Sequence, residues 1–223
     1  MNIEILTPAV TLDEADVAAL ALLAGPEGGD ELRELIARFG TAARPKAIYG
    51  VFPVGERDAD GVTIGGVRID SPLMSQNLGG VGRAFPYITT CGDELAALAS
   101  ELSDPLAFYW VDEIMKRYLR KMQAFLNEHI KRRFDIKNKL AAMNPGSIKE
   151  WPLTGQKQLF DIFGGSDKVR SAIGVTLKPS MLMLPTKSVS GIAFATDTSY
   201  ENCSRCPILT CPGRRAEFDP TLY

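Results

Sequence analysis

Residues 46–54, KAIYGVFPV, and 61–69, GVTIGGVRI, decide the fold class. Both are short, rich in β-branched and aromatic residues, and separated by the polar turn ERDAD (56–60), so they read as two strands of one antiparallel unit. RAFPYITTC (83–91) reads as a third strand. Directly after Cys91, GDELAALASELS reads as a helix. Ser103-Asp104-Pro105 then supplies a cap and a first-turn proline for a longer one. In that helix Val111, Met115, Tyr118, Met122 and Phe125 recur in steps of four and three, which makes one buried stripe.

Upstream, Thr11 and Glu14 are spaced as a capping box. A helix is expected from there to Leu23, and a second from Asp30 to Phe39. Downstream, Asn144-Pro145-Gly146 stops the helical region, and a helix is expected over Thr154 to Phe163. SAIGVTL (171–177) is expected as a strand, followed by a turn at Lys178-Pro179 and the run MLMLPTKSVSGIAFA. Strands and helices mix without βαβ regularity. This favours an α+β domain, a twisted antiparallel sheet with flanking helices, over a doubly wound sheet.

The totals narrow the function classes. The 223 residues are 45% apolar and 23% charged, a globular composition, and the net charge of -2 gives no global attraction to nucleic acid or to an anionic membrane. MNIEILTPAV lacks a basic start before an apolar run, so a secretory leader is not expected. The longest apolar stretch, VAALALLAG (17–25), is far short of the roughly 20 residues that span a bilayer. The cytoplasm is the expected compartment, with neither nucleic acid nor membrane as partner.

In a reducing compartment, clustered cysteines point to metal or redox chemistry before disulfides. Three of the four cysteines lie close together in ENCSRCPILTCPGRR (201–215). Cys203 and Cys206 are spaced to converge on one ion, and Cys211 adds a third thiol. Tetrahedral zinc and cubane iron–sulfur sites both take four protein ligands, and the spacing does not choose between them. Cys91 is the one remaining cysteine. It reads equally as the fourth ligand, its thiolate stabilised at a helix N-terminus, or as a small buried residue at a strand end.

Three further stretches stand out. In LPTKSVSGIAF (184–194) the polar or small residues Lys187, Ser188, Ser190 and Gly191 interrupt an apolar run, as a ligand contact or as a bulge in an edge strand. MNPGSIKEWPL (143–153) is a loop with exposed amides. Lys116, Arg117, Arg120, Lys121, Lys131, Arg132, Arg133, Lys137 and Lys139 form a basic segment against Glu128 and Asp135, suited to an acidic partner or a solvated face. No aromatic residues interleave to stack bases. The lone histidine, His129, argues against a histidine-based metal site or triad.

In order along the chain, GVTIGGVRIDSPLMSQNL, YITTCGDELAAL, DPLAFYWVDEIMKRYL, MNPGSIKEWPLTGQKQLFDIF and IGVTLKPSMLMLPTKSVSGIAF resemble the activation domain of vitamin B12-dependent methionine synthase. The resemblance is narrower to its free-standing relatives in anaerobes, and its most specific part is the ordered pair PGxxxxWPL and KSVSG. It implies an activation-like domain over 45–195, preceded by a helical segment over 1–44 and followed by a cysteine-rich tail over 196–223.

The resemblance also implies that S-adenosylmethionine binds in a shallow groove and that the domain docks on a cobalamin-binding protein. The cob(II)alamin held there is then reduced and remethylated. Pro145, Gly146 and the loop after them match the adenosylmethionine-binding loop. Ser188 to Gly191 match the SVSG segment. Full-length family members carry an arginine three residues before the PG pair and a tyrosine just after it, where this chain has Ala142 and Ser147. Lys187 is the candidate replacement charge.

The expected function is a stand-alone reactivation protein for a corrinoid methyltransferase or methionine synthase. In it Cys203, Cys206 and Cys211, with Cys91, would hold an electron-delivering iron–sulfur cluster. The alternative is a non-catalytic module that binds a corrinoid protein and carries structural zinc in its tail.

Overall fold

The computed structural model describes residues 2–25, 28–198, 200–211 and 213–222. A seven-stranded antiparallel sheet forms its centre, in the order β4-β3-β2-β5-β9-β6 with β1 also on β2. Its strands are β1 (Asn2–Leu6), β2 (Lys46–Arg57), β3 (Gly61–Ile64), β4 (Val67–Asp70), β5 (Arg83–Thr90), β6 (Lys139–Met143) and β9 (Ser188–Thr196). A separate two-stranded ribbon pairs β7 (Thr176–Leu177) with β8 (Met183–Leu184). The α+β class and the antiparallel sheet expected from the sequence are those observed.

Neighbouring residues on the central strands divide between two cores, as a pleat requires. Ile48, Ile88 and Ile192 point to one face, where helices α6 (Gly155–Ile162) and α7 (Ser166–Ile173) contribute Leu159, Phe160, Val169 and Ile173. Tyr49, Tyr87 and Ala193, each one residue along or back, point to the other face and meet Met122, Leu126 and Ile130 of helix α5 (Pro105–Arg133). With both faces covered, β5 carries apolar residues on consecutive positions and is buried from Ala84 to Thr90.

Helix α5 joins two cores. Its second half lies on the sheet, while Trp110, Val111, Ile114, Met115 and Tyr118 of its first half pack with helices α1 (Glu14–Ala24), α2 (Gly29–Ala42) and α4 (Asp93–Ala99). At 29 residues the helix is about 44 Å long, enough to serve both. Of the stripe expected along it, Val111, Met115, Tyr118 and Met122 are buried, and Phe125 is partly buried against the sheet-side core. Helix α3 (Pro72–Asn77) follows the β3–β4 hairpin.

Several expectations need correction. GVTIGGVRI is two strands, because Gly65 and Gly66 take positive φ of 62° and 83° and turn the chain back on itself. Such a two-residue turn with both φ positive matches the twist of a hairpin. The segment 1–44 is not wholly helical: β1 pairs with Ala47–Val51 of β2 and belongs to the central sheet. Asp13, not Thr11, caps α1, its carboxylate accepting from the Asp16 amide at 2.9 Å. SAIGVTL is split, with 171–173 ending α7, Gly174 capping it in the left-handed region, and only Thr176–Leu177 extended. The strand β6 was not expected at all.

Candidate functional site

The loop after β6 is built around Trp151. The Gly146 amide donates to the Trp151 carbonyl at 2.8 Å, the Ser147 amide donates to the Asn144 carbonyl at 3.2 Å, and Ile148 bridges to Trp151. Trp151 and Ile148 are buried. The loop is therefore a closed turn anchored by its aromatic residue. Gly146 has φ of 82°, a conformation that favours glycine.

Asn144 ties this loop to the sheet. Its Nδ2 donates to the Tyr87 hydroxyl on β5 at 2.9 Å and to the Ser190 carbonyl on β9 at 2.8 Å. Gly191 makes room for this. A Cβ there would lie 2.6 Å from Asn144 Nδ2, 2.7 Å from the Met143 carbonyl and 2.7 Å from the Tyr87 hydroxyl. The glycine thus serves an internal approach. Burial raises the Tyr87 pKa, with the Asn144 hydrogen bond and the Arg215 charge working against it. The SVSG strand is also not at an edge: β9 lies between β5 and β6.

Pro145, Ser147, Ser188, Val189 and Ser190 line one groove of about 740 Å³ together with Tyr87, Asn144, Gln123 and Arg120 of α5, and Gln156 of α6. The two motifs that stand apart in sequence therefore meet in one concavity. Ser188 Oγ lies 2.7 Å from the Pro185 carbonyl and 3.0 Å from Thr90 Oγ1, so it is engaged within the protein. Ser190 Oγ and Gln156 Oε1 are buried and have no hydrogen-bond partner among the described residues. Buried polar atoms left unpaired are costly and mark places where a ligand or water completes the structure.

Lys187 is committed elsewhere. Its Nζ lies 2.6 Å from Asp112 Oδ1 on α5, and its side chain does not line the groove. The replacement charge expected from Lys187 is thus already neutralised by a carboxylate.

The third wall is the tail. Tyr200, Glu201, Asn202, Cys203, Cys206, Cys211, Arg214 and Arg215 all border the groove. Lys139 fastens the tail to β6, with Nζ 2.8 Å from Glu201 and donating to the Tyr200 carbonyl at 2.8 Å. Arg205 pairs with Glu150 of the Trp151 loop at 3.4 Å. Arg214 holds the cysteine loop itself: its guanidinium donates to the carbonyls of Cys203, Cys206, Ile208 and Ala216 at 2.6–3.0 Å. One planar fork thereby closes a loop with little regular structure of its own.

Cys91 lies apart from these thiols. It is buried in the helical core with Phe39, Leu95 and Val111, lines no part of the groove, and its Sγ contacts the Gly92 carbonyl at 3.6 Å. Burial pushes its pKa up to about 12, against a smaller opposing pull from the Lys187 charge. A thiolate stabilised at the start of α4 is not what forms, because desolvation outweighs the helix end. Among the described residues, no group of three or more His, Cys, Asp and Glu side chains is disposed to hold one metal ion. The tail thiols share a groove, but the four-cysteine set does not fit a tetrahedral site in this arrangement.

The basic segment is also less free than its composition implied. Lys116 pairs with Asp112 and Glu113, Arg117 with Glu113, Lys121 with Asp13 and Asp16, and Arg133 with Glu4. The acidic partners sit on α5 itself, α1 and β1, where counting charges within the segment missed them. His129 Nε2 lies 3.1 Å from the Tyr49 hydroxyl, a structural contact.

No family model matches the chain, and no curated protein sequence does. Thirteen solved chains match it in structure. One is the crystal structure of the MetH reactivation domain bound to AdoHcy, with a TM-score of 0.61 over 90% of this chain and 81% of that one, at 16% identity. The chain has the fold of the MetH reactivation domain. In this reactivation-domain fold, sequence reasoning found Pro145, Ser188 and Ser190 at the groove. It missed Tyr87, Asn144, Gln156 and the tail arginines, which no linear motif connects. A pointer existed in Gly191, since a glycine inside a central strand signals close backbone or side-chain approach.

Proposed function

We propose that this protein is an accessory to cobalamin-dependent methyl transfer, binding S-adenosylmethionine or its product in the groove and docking on a corrinoid protein to help restore its cobalamin. The carrying observation is the joining of the Pro145 loop and the Ser188–Ser190 segment of β9 in one groove bordered by the tail. The likeness to a reactivation domain bound to AdoHcy supports the same reading. Direct titration of the full chain with S-adenosylmethionine and with AdoHcy in a calorimeter tests it. Saturable heat is expected. Absence of binding at millimolar ligand overturns the adenosyl part of the proposal.

Cys203, Cys206 and Cys211 belong to the proposal as metal ligands, holding an iron–sulfur centre or alternatively zinc. An iron–sulfur centre would supply low-potential electrons to the partner's cobalamin. Cys91 is a ligand only if α4 withdraws from the helical core. Metal and sulfide content of protein purified without oxygen separates the cases. Iron with stoichiometric sulfide supports the cluster, and zinc without colour supports a structural tail.

A second reading, a non-catalytic corrinoid-binding module, is favoured by the way Lys139–Glu201 and Arg205–Glu150 fasten the tail to the domain. Pull-down with a methionine synthase cobalamin domain, followed by a cob(II)alamin reduction assay monitored by visible absorbance, distinguishes the two. Binding without reduction would identify the module.

A further inference from the structure

The groove carries an uneven charge. Among the described residues, three arginines border it, and the one lining carboxylate, Glu201, is paired with Lys139. Arg214 is consumed by the loop carbonyls. Arg120 and Arg215 are different: among the described residues neither makes a hydrogen bond or an ion pair, although carboxylates neutralise Lys116, Arg117 and Lys121 around Arg120. The β6 wall offers no charge, since Leu140, Ala141 and Ala142 are what it presents. Arg215 follows directly on Arg214, whose side chain ties the loop together through four carbonyls. Its charge reaches the Tyr87 hydroxyl at the groove wall.

We propose that Arg215, with Arg120, forms the carboxylate-binding subsite of this groove, so that the tail supplies an anchor for the amino-acid end of the ligand. The assignment rests on the adenosyl reading above. A guanidinium presents two parallel donors that match both oxygens of a carboxylate, and holding Arg215 on a closed loop lowers the ordering cost of using them. The tail is then part of the binding site and has work to do whether or not its thiols hold a metal.

The test compares AdoHcy with 5′-methylthioadenosine, which keeps the nucleoside and thioether and lacks the carboxylate and amine. Calorimetry is run on the full chain, on Arg215→Ala, on Arg120→Ala and on Arg215→Lys. Both arginines are exposed and unbonded, so the variants should fold, and unchanged circular dichroism confirms it. Arg215→Ala is expected to weaken AdoHcy at least tenfold and leave methylthioadenosine within twofold. Arg120→Ala should act in the same direction, and Arg215→Lys should recover part of the loss. If AdoHcy and methylthioadenosine weaken together, or neither changes, the subsite assignment is overturned while the adenosyl reading stands. If the unmodified chain binds neither compound, the adenosyl reading fails and takes this assignment with it.

Discussion

At Gly191 a single missing side chain lets three groups share one small space: the Asn144 amide, the Tyr87 hydroxyl and the Met143 carbonyl. Gly191→Ala is expected to cost about 1–3 kcal/mol, the usual range for forcing a methyl into a packed position. Urea unfolding measures this, and the Asn144–Tyr87 hydrogen bond should be lost, because Asn144 must move. Arg214 is the residue with the widest local reach. Replacing it with alanine strands four carbonyls and should open the cysteine loop, so that limited trypsin cleaves at Arg215 many times faster while the melting temperature changes little. Equal cleavage rates in the two proteins would show that the loop is held by something else. Both residues illustrate what a linear reading can reach. Gly191 was visible as an anomaly in an apolar run, whereas Arg214 looked like any tail arginine, since its partners are main-chain carbonyls.

At the scale of elements, ion pairs join α5 to its neighbours. Lys121 reaches across to α1 and meets Asp13 and Asp16. The Lys121 hydrogen bond, helped by the Asp16 amide, lowers the Asp13 pKa from its ordinary 3.8 to about 2. A lowered carboxylate pKa means stability that is fully present above about pH 4 and is lost as pH falls through about 2. Lys121→Ala should move the Asp13 titration, followed by NMR, upward toward 3.8, and leave that of Asp58, which Arg68 holds near 2, where it is. The elements also separate what was legible from what was not. The stripe on α5 and the run of β5 were readable because their periods match their burial. KLAAM of β6 was missed because alanine-rich sequence favours helix locally, and only pairing with β9 makes it extended. SAIGVTL misled for the opposite reason: β-branched residues sit at the buried end of a short helix, with Val169 and Ile173 as its inward positions.

For the molecule as a whole, the antiparallel sheet and both of its covered faces follow from patterns that the sequence displays, while the groove required the fold to bring β5, α5, β6 and its loop, α6, β9 and the tail together. The depth of Cys91 gives a global measurement. It is buried completely, whereas Cys211 is exposed and Cys203 and Cys206 are partly so. Iodoacetamide labelling with peptide mapping should therefore modify the metal-free tail thiols under native conditions and reach Cys91 only when guanidinium unfolds the helical core. Native labelling of Cys91 at the rate of Cys203 would mean that α4 opens independently of the rest.

The position of β9 bears on how the chain is made. It is inserted between β5 and β6 and, among the described residues, is the only strand that pairs with β6. During synthesis the strands up to β5 can pair as they emerge, but residues 139–143 must wait for 188–196 to leave the ribosome. Until then one side of β5 stays open and the groove lacks its β9 wall. Nascent chains in which residues 188–196 are still enclosed by the ribosome should therefore attract chaperones, and those in which they have emerged should release them.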